Sequence, residues 1–430
     1  MTLMILLMFI LLFALMLIRV PIAFALGITS FLLLWVKNMF ATPVPLMIVP
    51  QTIANGVESF PLLAIPFFML AGELMNETGI TARLVRWAKA VVGHIAGGLA
   101  QVTVLVNMVL AGMSGSAIAD ASASGSMLIP AMKKAGYKPS FAAAVTAAAA
   151  TIGPVIPPSI PFIIIGATVG ISVGQLFLAG IVPGILMGVY FMVVAYFISK
   201  KRGYGKEKKS TYKELIQSTK DAALAFLMPV IVLGGIISGI VTPTESALLA
   251  VWYAIIIGGL VYRELTWKKL YKICINVIHL SSVILIVIGT ATLFGWLASV
   301  EGLGPQLTSV LGEFTETWMV MLFCIVIFLI MGTVMDVIPI ILILSPILFP
   351  IVTALGVDPV HFGVIMTLSL CIGLITPPVG ACLYIGASIA RANVVSVVRE
   401  LVPFGAALFL LLMIMTFFPS AYMWLPELLR

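Results

Sequence analysis

Charge is what this chain has least of. Of its 430 residues only 9% are Asp, Glu, Lys or Arg, against about 25% in soluble globular proteins. With 62% hydrophobic residues, that scarcity excludes an ordinary soluble enzyme, a disordered chain and a nucleic-acid-binding domain. Cysteine is sparse as well. Cys274, Cys324, Cys371 and Cys382 stand apart in apolar stretches, so neither a disulfide framework nor a zinc site is expected. The three histidines, His94, His279 and His361, are isolated. None sits in HExxH or at nucleophile spacing from a Ser or Cys, and we read them as structural or interfacial. No GxxxxGK[ST] occurs, which argues against ATP-driven chemistry. The apolar start lacks a basic n-region and a small-residue cleavage site, so it reads as mature structure rather than a signal peptide.

Long apolar runs are what the chain has in plenty, with a mean hydropathy of +1.23. A helix needs about 20 apolar residues to cross a bilayer core. Full spans are expected at 1–18, 21–36, 60–76, 139–170, 176–199, 222–240, 243–262, 276–299, 359–390 and 401–424. Segments 95–131 and 317–353 are interrupted midway by polar and glycine residues, and each half is short for a crossing. We read them as re-entrant helical hairpins. The region 1–36 reads as two spans or as one long kinked helix. Segments 38–58 and 263–275 mix aromatics, prolines and scattered polar groups, and are expected as amphipathic arms in the interface.

The few charges orient the chain. The loop 200–220 carries eight basic residues, Lys208 among them, and is expected to be cytoplasmic by the positive-inside rule. Counting spans outward places 20 of the 23 basic residues on that side. The loop with Glu301, Glu313 and Glu316, and both termini, then fall outside.

The two halves repeat. Segment 127–167 aligns with 347–387 without gaps, with eleven of 41 positions identical, most of them Gly or Pro. Pro139 pairs with Pro359, Gly153 with Gly373, Pro157-Pro158 with Pro377-Pro378, and Gly166 with Gly386. Pro21 pairs with Pro243, which favours two spans in 1–36. Each half holds five spans, an odd number, so the second is inverted. The fold expected is an all-α polytopic membrane protein of two inverted-topology repeats, 1–210 and 211–430. Each repeat carries one hairpin and one broken helix, the signature of secondary transporters.

Polar features inside the membrane locate the chemistry. The first hairpin tip reads Gly112-Met113-Ser114-Gly115-Ser116-Ala117-Ile118-Ala119-Asp120; we match it to Gly332-Thr333-Val334-Met335-Asp336. Opposite each tip stands a proline-rich break, Gly153 to Pro161 and Gly373 to Gly380. Prolines free carbonyls of the preceding turn, and such carbonyls can coordinate Na⁺, while half-helix N-termini favour a carboxylate. The candidate first Na⁺ site takes Ser114, Ser116, Gly153 and Ile156; the second takes Gly332, Thr333, Gly373 and Thr376. Gly115, Pro157 and Pro377 complete the candidate ion- and substrate-binding set. Asp120 and Asp336, at the two tips, rank first among the acids at membrane depth, ahead of Glu73 and Glu245. Either acid could contact the ion or hold its tip loop in shape.

The tip Ser114-Gly115-Ser116 with Asp120, together with the two breaks, resembles the large membrane subunit of TRAP transporters, the tripartite ATP-independent periplasmic transporters of the ion-transporter superfamily. The resemblance covers essentially the whole chain. It implies Na⁺-driven uptake of an organic acid, such as a C4-dicarboxylate or sialic acid, by an elevator mechanism. It implies a bacterial inner membrane, a small four-helix membrane subunit and a soluble periplasmic binding protein. No four-span segment precedes the first repeat, so the small subunit is expected as a separate chain. Under this reading Na⁺ is the one cofactor, the lipid bilayer and the two proteins are the partners, and the chain is not an enzyme. The alternatives are an ion channel and an intramembrane enzyme; the latter would need a catalytic constellation that the sequence does not display.

Overall fold

The computed structural model describes residues 3–40, 43–207, 209–311 and 316–427; Lys208 and Glu313, used above for orientation, lie outside the described residues. Among them are twenty α-helices and no strand. The first half contains α1 (Leu3–Leu17), α2 (Ile22–Phe40), α3 (Ile48–Val57), α4 (Ala64–Glu77), α5 (Ile80–Val92), α6 (Gly98–Ser114), α7 (Ala117–Lys134), α8 (Pro139–Ala150), α9 (Ile160–Val169) and α10 (Val173–Arg202). The second half contains α11 (Tyr212–Ile237), α12 (Pro243–Ile256), α13 (Trp267–Val300), α14 (Leu303–Leu311), α15 (Thr317–Val334), α16 (Val337–Ala354), α17 (Pro359–Gly373), α18 (Ala381–Ala390), α19 (Val394–Phe417) and α20 (Ser420–Glu427). Eight helices are long and apolar enough to cross a membrane, or nine if the bent pair α3 and α4 counts as one span. The chain is a multi-pass membrane protein.

Both hairpins and both breaks are present. The pairs α6–α7 and α15–α16 each reverse over two residues, and the bounds of α7 recur 220 positions later in α16. The break between α8 and α9 spans 151–159, and that between α17 and α18 spans 374–380. Region 1–36 forms two helices, joined at Arg19, whose φ is 68°.

The two arms differ from expectation. Segment 263–275 is not a separate arm: α13 runs from Trp267 to Val300 as one 34-residue helix, arm and span together. In the first half, Pro61 sits at the start of a 3-10 turn (Phe60–Leu63), and α3 meets the following span at 60°. No proline lies within α13, so nothing breaks its hydrogen-bond ladder. The short helices α5 and α14, which follow these spans, were not foreseen from the sequence.

Helices of the two halves interpack. One group joins α1–α4 to α12 and α13, with α5 against α11. The other joins α6–α10 to α15–α20, and in it α8 packs on both α7 and α18 while α9 packs on α16. Small residues permit the close approach. A Cβ on Gly386 of α18 would stand 2.9 Å from the carbonyl oxygen of Ala143, in the alanine-rich α8. Contacts of α13 with α16, and of α4 and α5 with α6, join the two groups.

Polar pairs pin the ends. Lys133 Nζ, at the end of α7, donates to the carbonyl of Ala390, the last residue of α18, at 2.9 Å; a cation there complements the helix dipole. Arg202 pairs with Glu400 at 2.8 Å and Arg83 with Glu264 at 3.0 Å. His361 Nδ1 lies 2.6 Å from the Tyr422 hydroxyl and ties α20 to the start of α17, a structural role. Lys37 meets Glu301 at 2.5 Å, with side chains only 15% and 13% exposed. Removing one partner leaves a mostly buried charge alone. Lys37→Met is expected to lower stability by about 1–3 kcal/mol, and Lys37→Met with Glu301→Gln by less than the sum of the two. Thermal unfolding of the purified variants checks this.

Candidate functional site

The first tip is built by a glycine that ends one helix and a serine that caps the next. Helix α6 ends at Ser114, Gly115 turns the chain with φ 61°, and Ser116 caps α7 by accepting from Ala119 N at 3.4 Å. A side chain at Gly115 would be strained by that φ and would meet the carbonyl oxygen of Pro158. The tip therefore lies directly on the proline break, and Ile160 N reaches back to the Gly115 carbonyl at 3.4 Å.

Asp120 sits one turn into α7, fully buried. Its Oδ1 accepts from the Ser114 hydroxyl at 2.6 Å. Its Oδ2 has no hydrogen-bond partner among the described residues. That oxygen faces the break, where a Cβ added to Gly153 would stand 2.6 Å from it and 3.1 Å from the Ser116 carbonyl carbon. Gly153 is thus required by close approach.

The break itself is held by its own residues. Pro157 and Pro158, joined by a cis peptide bond, cannot donate to the carbonyls of Gly153 and Pro154 four residues back. The Ser159 hydroxyl donates to the Pro154 carbonyl and accepts from Phe162 N at 3.2 Å, so it both fills a freed acceptor and caps α9. Ile156 turns its side chain toward Gly184 of α10. Only its backbone carbonyl could serve an ion.

The second tip has the same plan with different chemistry. Gly332 packs on Gly373: a Cβ on Gly373 would lie 2.5 Å from the Gly332 carbonyl oxygen. Val379 N donates to the Thr333 carbonyl at 3.0 Å, joining tip to break, and Pro377-Pro378 is again cis. The hydroxyls of Thr333 and Thr376 donate to their own helices, to the carbonyls of Ile330 and Ile372, each at 2.7 Å. Each oxygen keeps lone pairs for a cation.

The two acids at the matched tips are not equivalent positions. At the 220-residue offset Asp336 corresponds to Ser116 and Asp120 to Ile340. Accordingly Asp336 is the residue that caps α16, at the tip, whereas Asp120 lies behind its tip. The shared Gly at 112 and 332 keeps the same 220-residue offset, so the tips match while the acids do not.

A cavity of about 680 Å³ brings the two tips together. Ser114, Gly115 and Ser116 line it with Asp336, Pro154 and Leu374, and α4 and α13 form the facing wall. The N-terminal turns of α7, α9 and α16 all reach it, and no Lys or Arg is among its lining residues. Glu73, Asn76 and Glu77 stand on the α4 wall, and Asn276 Nδ2 of α13 donates to Glu73 Oε1 at 3.1 Å. Thr333, Gly373 and Thr376 lie behind the second tip, outside the lining. Glu245 does not reach the site: it closes a capping box with Thr242 at the start of α12. Asn276 and Ser159 were missed from sequence. Ser159, two residues before Pro161, carries an N-cap signature that could have found it; a lone Asn in an apolar span carries no such signal.

The comparisons with known proteins agree with this geometry. Residues 9–421 match the family model described as tripartite ATP-independent periplasmic transporter, DctM component. The chain is 39% identical over 379 residues to the sialic acid TRAP transporter large permease protein SiaM of Vibrio cholerae, covering 88% of this chain and 89% of that one. It is 37% identical over 371 residues to the C4-dicarboxylate TRAP transporter large permease protein DctM of Pseudomonas aeruginosa, covering 86% and 87%. The fold matches the crystal structure of the Alcanivorax borkumensis YdaH transporter, with a TM-score of 0.65 at 15% identity over 94% of this chain and 98% of that one. Hairpins, breaks and sequence together place the chain in the family of TRAP transporter large permeases.

Proposed function

We propose that this chain couples the inward movement of Na⁺ to the uptake of an organic acid across a bacterial inner membrane. The observation that carries the reading is the Asp120 Oδ2 oxygen, buried and unpartnered between the first tip and the Gly153 break. A lone carboxylate oxygen at membrane depth is costly unless a proton or a cation answers it, and the carbonyls of the break beside it favour a cation. Ser114, Ser116 and the freed carbonyls of Gly153 and Ile156 would hold that Na⁺. Gly332, Thr333, Gly373 and Thr376 would hold a second, with Asp336 at the mouth.

The substrate is proposed to be an anion of the sialic acid or C4-dicarboxylate class, for which relatives are named. With no basic side chain lining the cavity, its carboxylate would be met by the N-terminal turns of α7, α9 and α16. The α4 and α13 ends that wall the cavity adjoin the basic segments around Arg83 and Lys268, so the cavity belongs to the cytoplasmic side. Under this reading the group of α6–α10 and α15–α20 carries substrate and ions as one body against the group holding α4 and α13, an elevator motion. The small four-helix subunit would sit on the second group, and a periplasmic binding protein would deliver substrate.

Three outcomes test these assignments. Asp120→Asn, which keeps an acceptor for Ser114, and Asp336→Ala are expected to reduce Na⁺-driven uptake in proteoliposomes roughly tenfold or more with expression retained; full uptake by both would refute the site. Gly153→Ala is expected to abolish uptake, because its methyl group overlaps Asp120 and Ser116. Uptake at low substrate is expected to require the soluble binding protein. Robust uptake by the membrane subunits alone would contradict the tripartite reading.

A further inference from the structure

Inside the first hairpin, away from the cavity, lies a second polar contact between its arms. Asn107 of α6 and Ser124 of α7 are both 0% exposed. Asn107 Nδ2 donates to the Thr103 carbonyl at 2.7 Å, which fixes the amide and turns Oδ1 toward α7. The Ser124 hydroxyl lies 3.1 Å from that Oδ1 and 2.7 Å from the carbonyl of Asp120. A hydroxyl has one proton, so Ser124 shares it between the two acceptors. Neither residue lines the cavity.

We propose that Asn107, through Ser124, is a positioning residue for the ion site at the first tip; the inference rests on the Na⁺ reading above. The hairpin arms are joined by two rungs. The upper is Ser114–Asp120 and the lower is Asn107–Ser124, one turn further along α7. With a single rung, only side-chain packing on α6, α8 and α18 would set the rotation of α7 and the direction of the carboxylate. The lower rung fixes that rotation, so that Oδ1 faces Ser114 while Oδ2 faces Gly153. The surroundings are apolar, with Val106, Leu110 and Leu128 buried beside the pair. An apolar contact would pack these arms together as well. A hydrogen bond adds direction, which packing alone does not.

The test measures uptake against external Na⁺ by the full chain reconstituted with its partner subunits, for wild type, Asn107→Leu, Ser124→Ala and the double variant. Thermal unfolding of each purified complex is measured in parallel. Ser124→Ala leaves Asn107 Oδ1 buried without a donor and should lose stability, Asn107→Leu leaves the Ser124 hydroxyl its bond to the Asp120 carbonyl and should lose less, and replacing both partners by apolar groups is close to neutral. The expected result is a rise of roughly fivefold or more in the Na⁺ concentration for half-maximal uptake by Asn107→Leu. The double variant should recover its thermal midpoint and keep the raised Na⁺ requirement. Half-saturation by substrate, at saturating Na⁺, should stay within about twofold of wild type. A Na⁺ requirement that returns to the wild-type value along with stability would overturn the inference and reduce the pair to a structural contact. An unchanged Na⁺ requirement in Asn107→Leu would overturn it too, with the Na⁺ reading left standing. Wild-type uptake indifferent to Na⁺ would overturn both.

Discussion

A backbone that leaves helical geometry in the middle of a bilayer has no water to satisfy it, so other protein groups must. Everything distinctive here follows from meeting that demand twice. Each proline-rich break is pressed against a hairpin tip, and the two exchange hydrogen bonds: Ile160 N to the Gly115 carbonyl, and Val379 N to the Thr333 carbonyl. The approach is close enough that Gly153 and Gly373 admit no side chain. What remains unsatisfied after these exchanges is available to a ligand. At the first site that remainder includes a carboxylate oxygen.

The two sites share a scaffold and differ in chemistry. In the first half, serine caps the returning helix and the acid stands one turn behind it, bonded to the tip. In the second, the acid itself occupies the cap position and Ile340 stands where Asp120 would be. The glycines and prolines, which set backbone shape, recur in both halves, while the polar side chains differ. The two tips therefore offer a ligand unequal sets of donors.

The same distinction decides how much was legible in the sequence. Hairpins, breaks and their pairing could be read because Gly and Pro report φ and missing donors directly, wherever they stand. The pairing of Pro21 with Pro243 favoured a division of 1–36 for that reason, and two helices form there. That Asp120 and Asp336 hold different places in the repeat was not read, because an acid near a tip carries no register of its own. The contacts Glu73–Asn276 and Asn107–Ser124 were out of reach, since each depends on how two helices rotate against each other. The arm 263–275 was separated from its span by composition, although no residue there interrupts a helix.

That uninterrupted helix has a mechanical consequence. At about 1.5 Å per residue, α13 is a spar some 50 Å long. Its exposed aromatics Trp267 and Tyr271 are near one end, and Asn276, Leu280 and Ile284 of the cavity wall stand along its shaft. Any lean imposed where those rings meet the headgroups is delivered undiminished to that wall. On the other flank, the joint at Phe60–Leu63 absorbs the equivalent strain before it reaches α4. The vestibule thus has one wall carried on an unbroken rod and one carried beyond a joint.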